Sequence, residues 1–160
     1  MDAICRNGIY ARHCGLVSTL SESEFTVGSN QYRAGRLNAR QQFDVARRLR
    51  DVLMILGMER GPEFKSTPEN FARIVLVSSG NVPQADMDIA LNICLGVIKR
   101  RMPGDQGWVV IITPTGALMF DDIDMPVMLQ LVWHVVNAHR MVDFLSVSVL
   151  NSSEPKSIAG

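Results

Sequence analysis

FDDIDMPVMLQLVWHVVNAHRMVDFL, residues 120–145, carries the strongest fold signal in this chain. Asp124 stands where a side-chain oxygen can accept the first free N–H groups of a helix, and Pro126 sits just inside, where a missing N–H costs nothing. Met128, Leu131, Val132, Val135 and Val142 recur at helical spacing and predict one face of a long helix over 125–145. Met125, Leu129, Trp133 and Val136 add apolar surface beyond that stripe. A helix this widely apolar is either buried on several sides or left partly open for a partner. No catalytic signature accompanies it.

Upstream, Trp108–Thr113 is a β-branched run, followed by Pro114-Thr115-Gly116 and then Ala117–Phe120, which predicts a β-hairpin. Before it, Gln84 or Asp86 opens a helix. Its apolar positions Ile89, Ala90, Ile93, Cys94, Val97 and Ile98 predict continuation to Lys99-Arg100-Arg101, cations suited to a helix C-terminus. Thr67 can cap a short helix with Pro68 at its first position and Phe71, Ile74 and Val75 inward; a strand over 74–78 is the rival reading. Asn38 and Gln41 form a capping box that opens a helix ending at Gly57. There Phe43, Ala46, Leu49, Val52, Leu53 and Leu56 repeat at 3 and 4. Glu24–Val27 and Gln31–Ala34, either side of Gly28-Ser29-Asn30, predict a first small hairpin. The expected fold is therefore α+β and mostly α, with three to four helices and two small β-hairpins. One globular domain over 24–150 is expected between a flexible arm (1–23) and a polar, disordered tail (151–160).

The chain has 160 residues, enough for one domain with a real core. Sixteen basic and sixteen acidic side chains give a formal net charge of zero, which weakens the case for nucleic acid or an anionic membrane as partner. Thirteen of the sixteen cations are arginine, so basic contacts favour planar, forked recognition. Cys5, Cys14 and Cys94 have no disulfide framework spacing, and free thiols suit a reducing compartment. Cys94 falls on an apolar helix face and is expected in the core. No run of apolar residues is long enough for a membrane span.

The acidic group Asp121, Asp122 and Asp124 is chemically able to attract a hard cation, but carboxylates at a helix N-terminus more often serve its N–H groups and dipole. His134 and His139 lie five apart, about 140° around a helix, and cannot form a zinc pair. A Cys14–His134 nucleophilic pair lacks any local signature, and Ser78-Ser79-Gly80 lacks a nucleophile elbow. No cofactor is expected. From Arg33 to Arg50 lie six arginines, and Asp44 and Asp51 are each four residues from one of them, a pattern commoner on a solvated helix surface than on a phosphate-tracking one. Of the two tryptophans, Trp108 is expected in the core, and Trp133, off the main stripe, exposed toward a partner.

Two blocks carry a family resemblance. FTVGSNQYRAGRLNARQQFDVARRLRDVL (residues 25–53) and the region around GALMFDDIDMPVMLQLVWHVV (within 108–144) resemble the tail assembly chaperones of long-tailed phages and prophages. The resemblance implies a non-enzymatic protein of the host bacterial cytoplasm, absent from the mature virion. It implies binding to the aggregation-prone tape measure protein, release as the tail tube protein polymerises, and self-association as an option. Exposed-apolar reasoning nominates Met125, Met128, Leu129 and Trp133 as the contact set, with Arg47 and Arg48 as a polar rim. On that expectation, alanine at Leu129 and Trp133 abolishes client binding and spares the fold. Two alternatives are a prophage nucleic-acid-binding regulator using the Arg33–Arg50 face and a metal enzyme centred on the aspartates.

Overall fold

The protein's structure, a computed structural model, describes residues 22–58 and 67–143. Residues 1–21 of the arm, the tail, Cys5, His13, Cys14, Phe144 and Leu145 lie outside the described residues; Glu22 is described and Ser23 opens the first strand.

Strands β1 (Ser23–Val27) and β2 (Asn30–Ala34) form the expected hairpin. Its turn is tighter than the sequence suggests, because Asn30 already pairs with Val27. Only Gly28-Ser29 remain as loop, and Gly28 adopts φ 60°, a conformation that disfavours a Cβ.

Helix α1 (Ala39–Arg48) opens on the capping box: Gln41 N–H donates to Asn38 Oδ1 (2.9 Å), and Asn38 N–H donates to Gln41 Oε1 (3.0 Å). The single helix expected to reach Gly57 is instead bent at Leu49 (φ −94°, ψ 16°), and α2 (Arg50–Met58) runs through Gly57. The bend keeps its hydrogen bonds, Leu49 N–H to Val45 O and Leu53 N–H to Leu49 O, both 2.9 Å. Val45, Leu49, Val52, Leu53 and Leu56 all reach the core. Phe43, expected inward, is 66% exposed, because Val45 takes the buried line of α1.

Helix α3 (Pro68–Ser78) begins where Thr67 Oγ1 accepts the Asn70 N–H (3.3 Å), and buries Phe71, Ile74 and Val75, which disposes of the strand alternative. Helix α4 (Gln84–Leu95) stops at Gly96, not at Arg101. Residues Ile98–Arg101 are strand β3, with Ile98 fully buried opposite Ala34. The β-branched pair Val97-Ile98 after a glycine suits an extended backbone, and the sheet needs a strand between β2 and β4. After a 3₁₀ turn (Gly104–Gln106), β4 (Trp108–Val110) pairs with β3. The second hairpin therefore survives only in part. Ile112 bridges Leu118, and Thr113 N–H donates to Ala117 O at 2.8 Å.

Helix α5 (Met125–Ala138) starts at Asp124, whose Oδ1 accepts the Val127 N–H at 3.0 Å. It ends seven residues before the expected 145. His139 closes it: Nδ1–H donates to Val135 O (2.8 Å), and Nε2 accepts the buried Leu37 N–H (2.9 Å). Arg140 turns left-handed (φ 51°), and residues 141–143 return to helix.

The strands form one antiparallel sheet, ordered β1-β2-β3-β4, with all four helices α1–α4 inserted between β2 and β3. Helix α5 packs on α3, α4 and β1 together, so its wide apolar surface is covered from several sides. The fold is α+β and mostly α as expected. Its strands make one sheet, and the described residues form five α-helices where three to four were expected.

Candidate partner-binding surface

The six nominated contact residues do not share one surface. Leu129 and Trp133 are core residues, each 3% exposed, and the Trp133 ring lies 5.5 Å from that of Phe71 on α3 at 41°. Their expected exposure is corrected by the position of α5, whose second apolar face meets α3 and α4. Met128 is half-buried against the core, and Met125, the first helical residue, is 53% exposed. Arg47 is exposed, with Asp44 at 3.8 Å. Arg48 is mostly covered and joins Asp86, tying α1 to the start of α4.

Trp108, expected in the core, is only half-buried. It sits on the outward side of the sheet, with the Arg33 guanidinium 4.3 Å above its ring. Cross-strand neighbours Glu24, Arg33, Lys99 and Val110 share that side. Arg33 is committed there, donating to Glu22 and Glu24 at 2.7 Å each. The bond to Glu24 is the main cause that raises its pKa.

The opposite side of the sheet carries Phe25, Tyr32 and Arg100. Tyr32 is buried, and desolvation raises its phenol pKa. Arg100 donates to Asp122 (2.6 Å) and Asn30 (2.9 Å) and lies 4.6 Å over Phe120, which fastens the segment before α5 to the sheet. The hydrogen bond from Arg100 holds Asp122 below the usual carboxylate range. Asp122 is therefore an ion-pair partner and Asp124 a helix cap. Among the described residues, no group of three His, Cys, Asp or Glu side chains could hold a metal ion. His134 stacks on Phe25 with ring centroids 3.9 Å apart, and burial lowers its pKa. Cys94 is fully buried, and desolvation pushes its thiol up to about 12.

The large apolar side chains left open are distributed, among them Phe43 on α1, Met58 on α2, Leu76 (52%) and Val77 (72%) on α3, Met119 before α5, and Met125. Sequence reasoning passed over Leu76 and Val77, although both fall off the Phe71–Ile74–Val75 stripe, which was a usable signal. Such side chains beside arginines can bind another chain by apolar burial and forked charge contacts. Residues 28–148, more than half of the chain, match the family described as phage tail assembly chaperone protein, TAC.

The chain belongs to the phage tail assembly chaperone family. No curated protein and no solved structure matches it. The family match begins in the turn between β1 and β2 and runs past α5, so it spans the remaining strands and all five helices of this tail assembly chaperone. Its role lies in bacteriophage tail assembly, among tail proteins.

Proposed function

We propose that this chaperone binds the tape measure protein of its phage and keeps it soluble until the tail tube forms around it, without catalysing a reaction. Membership of the tail assembly chaperone family over the whole helical part carries the reading. The exposed apolar side chains support it: Leu76 and Val77 on α3 and Met125 on α5 suit a client that presents apolar residues at helical spacing. Methionine's adaptable side chain suits a varied client sequence. Leu129 and Trp133 serve the fold in this reading, and Met125, half-buried Met128 and exposed Arg47 keep their place at the contact.

Many copies arranged along one long client would convert weak contacts into avidity. The work belongs in the host cytoplasm before the virion is complete, in a phage or a prophage, and the tail tube protein displaces the chaperone. Co-expression with the tape measure protein tests the reading. Wild type is expected to keep the client soluble. The double substitution Leu76→Asp/Val77→Asp, on an exposed face, is expected to leave the chaperone folded and the client aggregated. A client that aggregates equally with and without wild type refutes the reading.

A further inference from the structure

The outward side of α1 carries a stripe that the fold does not use. Arg40, Phe43 and Arg47 follow at helical spacing, and Arg50 continues the line past the bend at Leu49. All four are exposed, while Val45 and Leu49 on the same stretch are fully buried. Among the described residues Arg40 and Arg50 make no ion pair, and Arg47 has only the loose contact to Asp44. An exposed phenylalanine between Arg40 and the loosely paired Arg47 presents apolar surface flanked by positive charge. Beside the stripe, between the start of α2 and the turn into α4, lies a groove of about 240 Å³ lined by Arg47, Arg48 and Arg50 together with Asp51, Asp86 and Pro83. Arg48 points one guanidinium nitrogen at Asp86, yet its Nε is buried and has no hydrogen-bond partner among the described residues.

We propose that this stripe and groove dock an acidic amphipathic segment of a tail protein. An apolar side chain of the partner covers Phe43, and its carboxylates meet Arg40, Arg47 and Arg50 along the rim of the groove, clear of Asp51 and Asp86. Forked guanidinium–carboxylate pairing suits these arginines. A nucleic-acid strand fits less well. Asp44, Asp51 and Asp86 stand along the same side, and a phosphate backbone with fixed charge spacing cannot avoid them as a peptide can. The inference rests on the reading of this chain as a binding protein for a tail protein and adds the partner's chemistry and the docking face.

The test uses the full chain and overlapping synthetic peptides of the tape measure and tail tube proteins, read by fluorescence anisotropy, with a 20-nucleotide single strand and a duplex as further probes. Peptides combining acidic and apolar residues are expected to bind wild type. Their affinity should fall at least about tenfold with Phe43→Ser and with Arg40→Glu/Arg47→Glu. It should also weaken between about 50 and 300 mM salt, as screening shortens the reach of exposed charge. Because the residues are exposed, helical content by circular dichroism should be unchanged, and Arg40→Gln/Arg47→Gln provides a milder check with the same direction. Equal binding by wild type and variants, no binding of any acidic peptide, or preference for the nucleic-acid probes overturns the inference. If the variants also keep the tape measure protein as soluble as wild type does, only the docking face is refuted. Failure of wild type itself to solubilise that client refutes the functional reading.

Discussion

Replacing Trp133 by alanine should destabilise the chaperone strongly, and client binding should fail only through loss of the fold. An indole of this kind removes about 200 Å² of largely apolar surface from water, since aromatic side chains bury 150–250 Å². Trp133 is 3% exposed, so nearly all of that area counts. At about 25 cal/mol per Å² this is about 5 kcal/mol. A denatured chain already hides a tenth to four tenths of such surface, which brings the figure to about 3–4.5 kcal/mol. The ring pair with Phe71 adds to it, and core Trp→Ala substitutions fall at about 3–5 kcal/mol. Against a total stability of about 5–15 kcal/mol, a loss near 4 is severe. With an m-value of about 2 kcal/mol/M, the urea midpoint should drop by about 2 M. Met125→Ala, at a residue 53% exposed, should cost less than about 0.5 kcal/mol, a midpoint shift of less than about 0.25 M. If Trp133→Ala keeps the wild-type midpoint and slope while client solubilisation is lost, the ring belongs to an interface and its assignment to the core is refuted.

Other consequences are local. Asn38→Ala removes the acceptor for Gln41 N–H and half of the capping box, and should cost about 1 kcal/mol, read as a lower melting temperature. His134 titrates below its ordinary value of 6.5 because it is desolvated against the sheet, so the unfolded chain binds more protons than the folded one just below that pH. Its contribution to stability is full above 6.5 and shrinks as the pH falls toward the folded-state value; His134→Phe should flatten urea midpoints measured from pH 7 to 5. Asp122, lowered by Arg100, acts further down: its contribution is present above 3.8 and lost as the pH falls through the depressed value, a limb that Asp122→Asn should remove. Cys94, buried with its thiol pushed up to about 12, should resist alkylation at pH 8 in the folded protein and react readily in urea.

Local signals in this sequence translated faithfully. Asn38, Thr67 and Asp124 each cap the helix expected of them, because a cap needs only residues within one turn. The first hairpin likewise depends on Gly28 and its neighbours alone. What failed were decisions made by tertiary partners. Residues Ile98–Arg101 continue a helical apolar pattern on paper, but pairing with β2 and β4 fixes them as a strand. The two tryptophans exchanged expected roles for the same reason. The apolar spacing of α5 marks two faces but not that α3 and α4 cover the second, and the β-branched run after Trp108 marks a strand but not which side of the sheet is left open. The contact set inherited that ambiguity. Met125 stayed open, Leu129 and Trp133 did not, and Phe43 emerged on the surface because the Val45–Leu49–Val52–Leu56 line takes the buried side.

The most direct test of the central claim is co-expression of this chain with the tape measure protein of the same phage, followed by purification and a measured subunit ratio. The proposal predicts a soluble complex with several chaperones on each client, and an insoluble client when the chaperone is omitted. A client that stays insoluble in the presence of folded chaperone, with neither protein retaining the other, would contradict it.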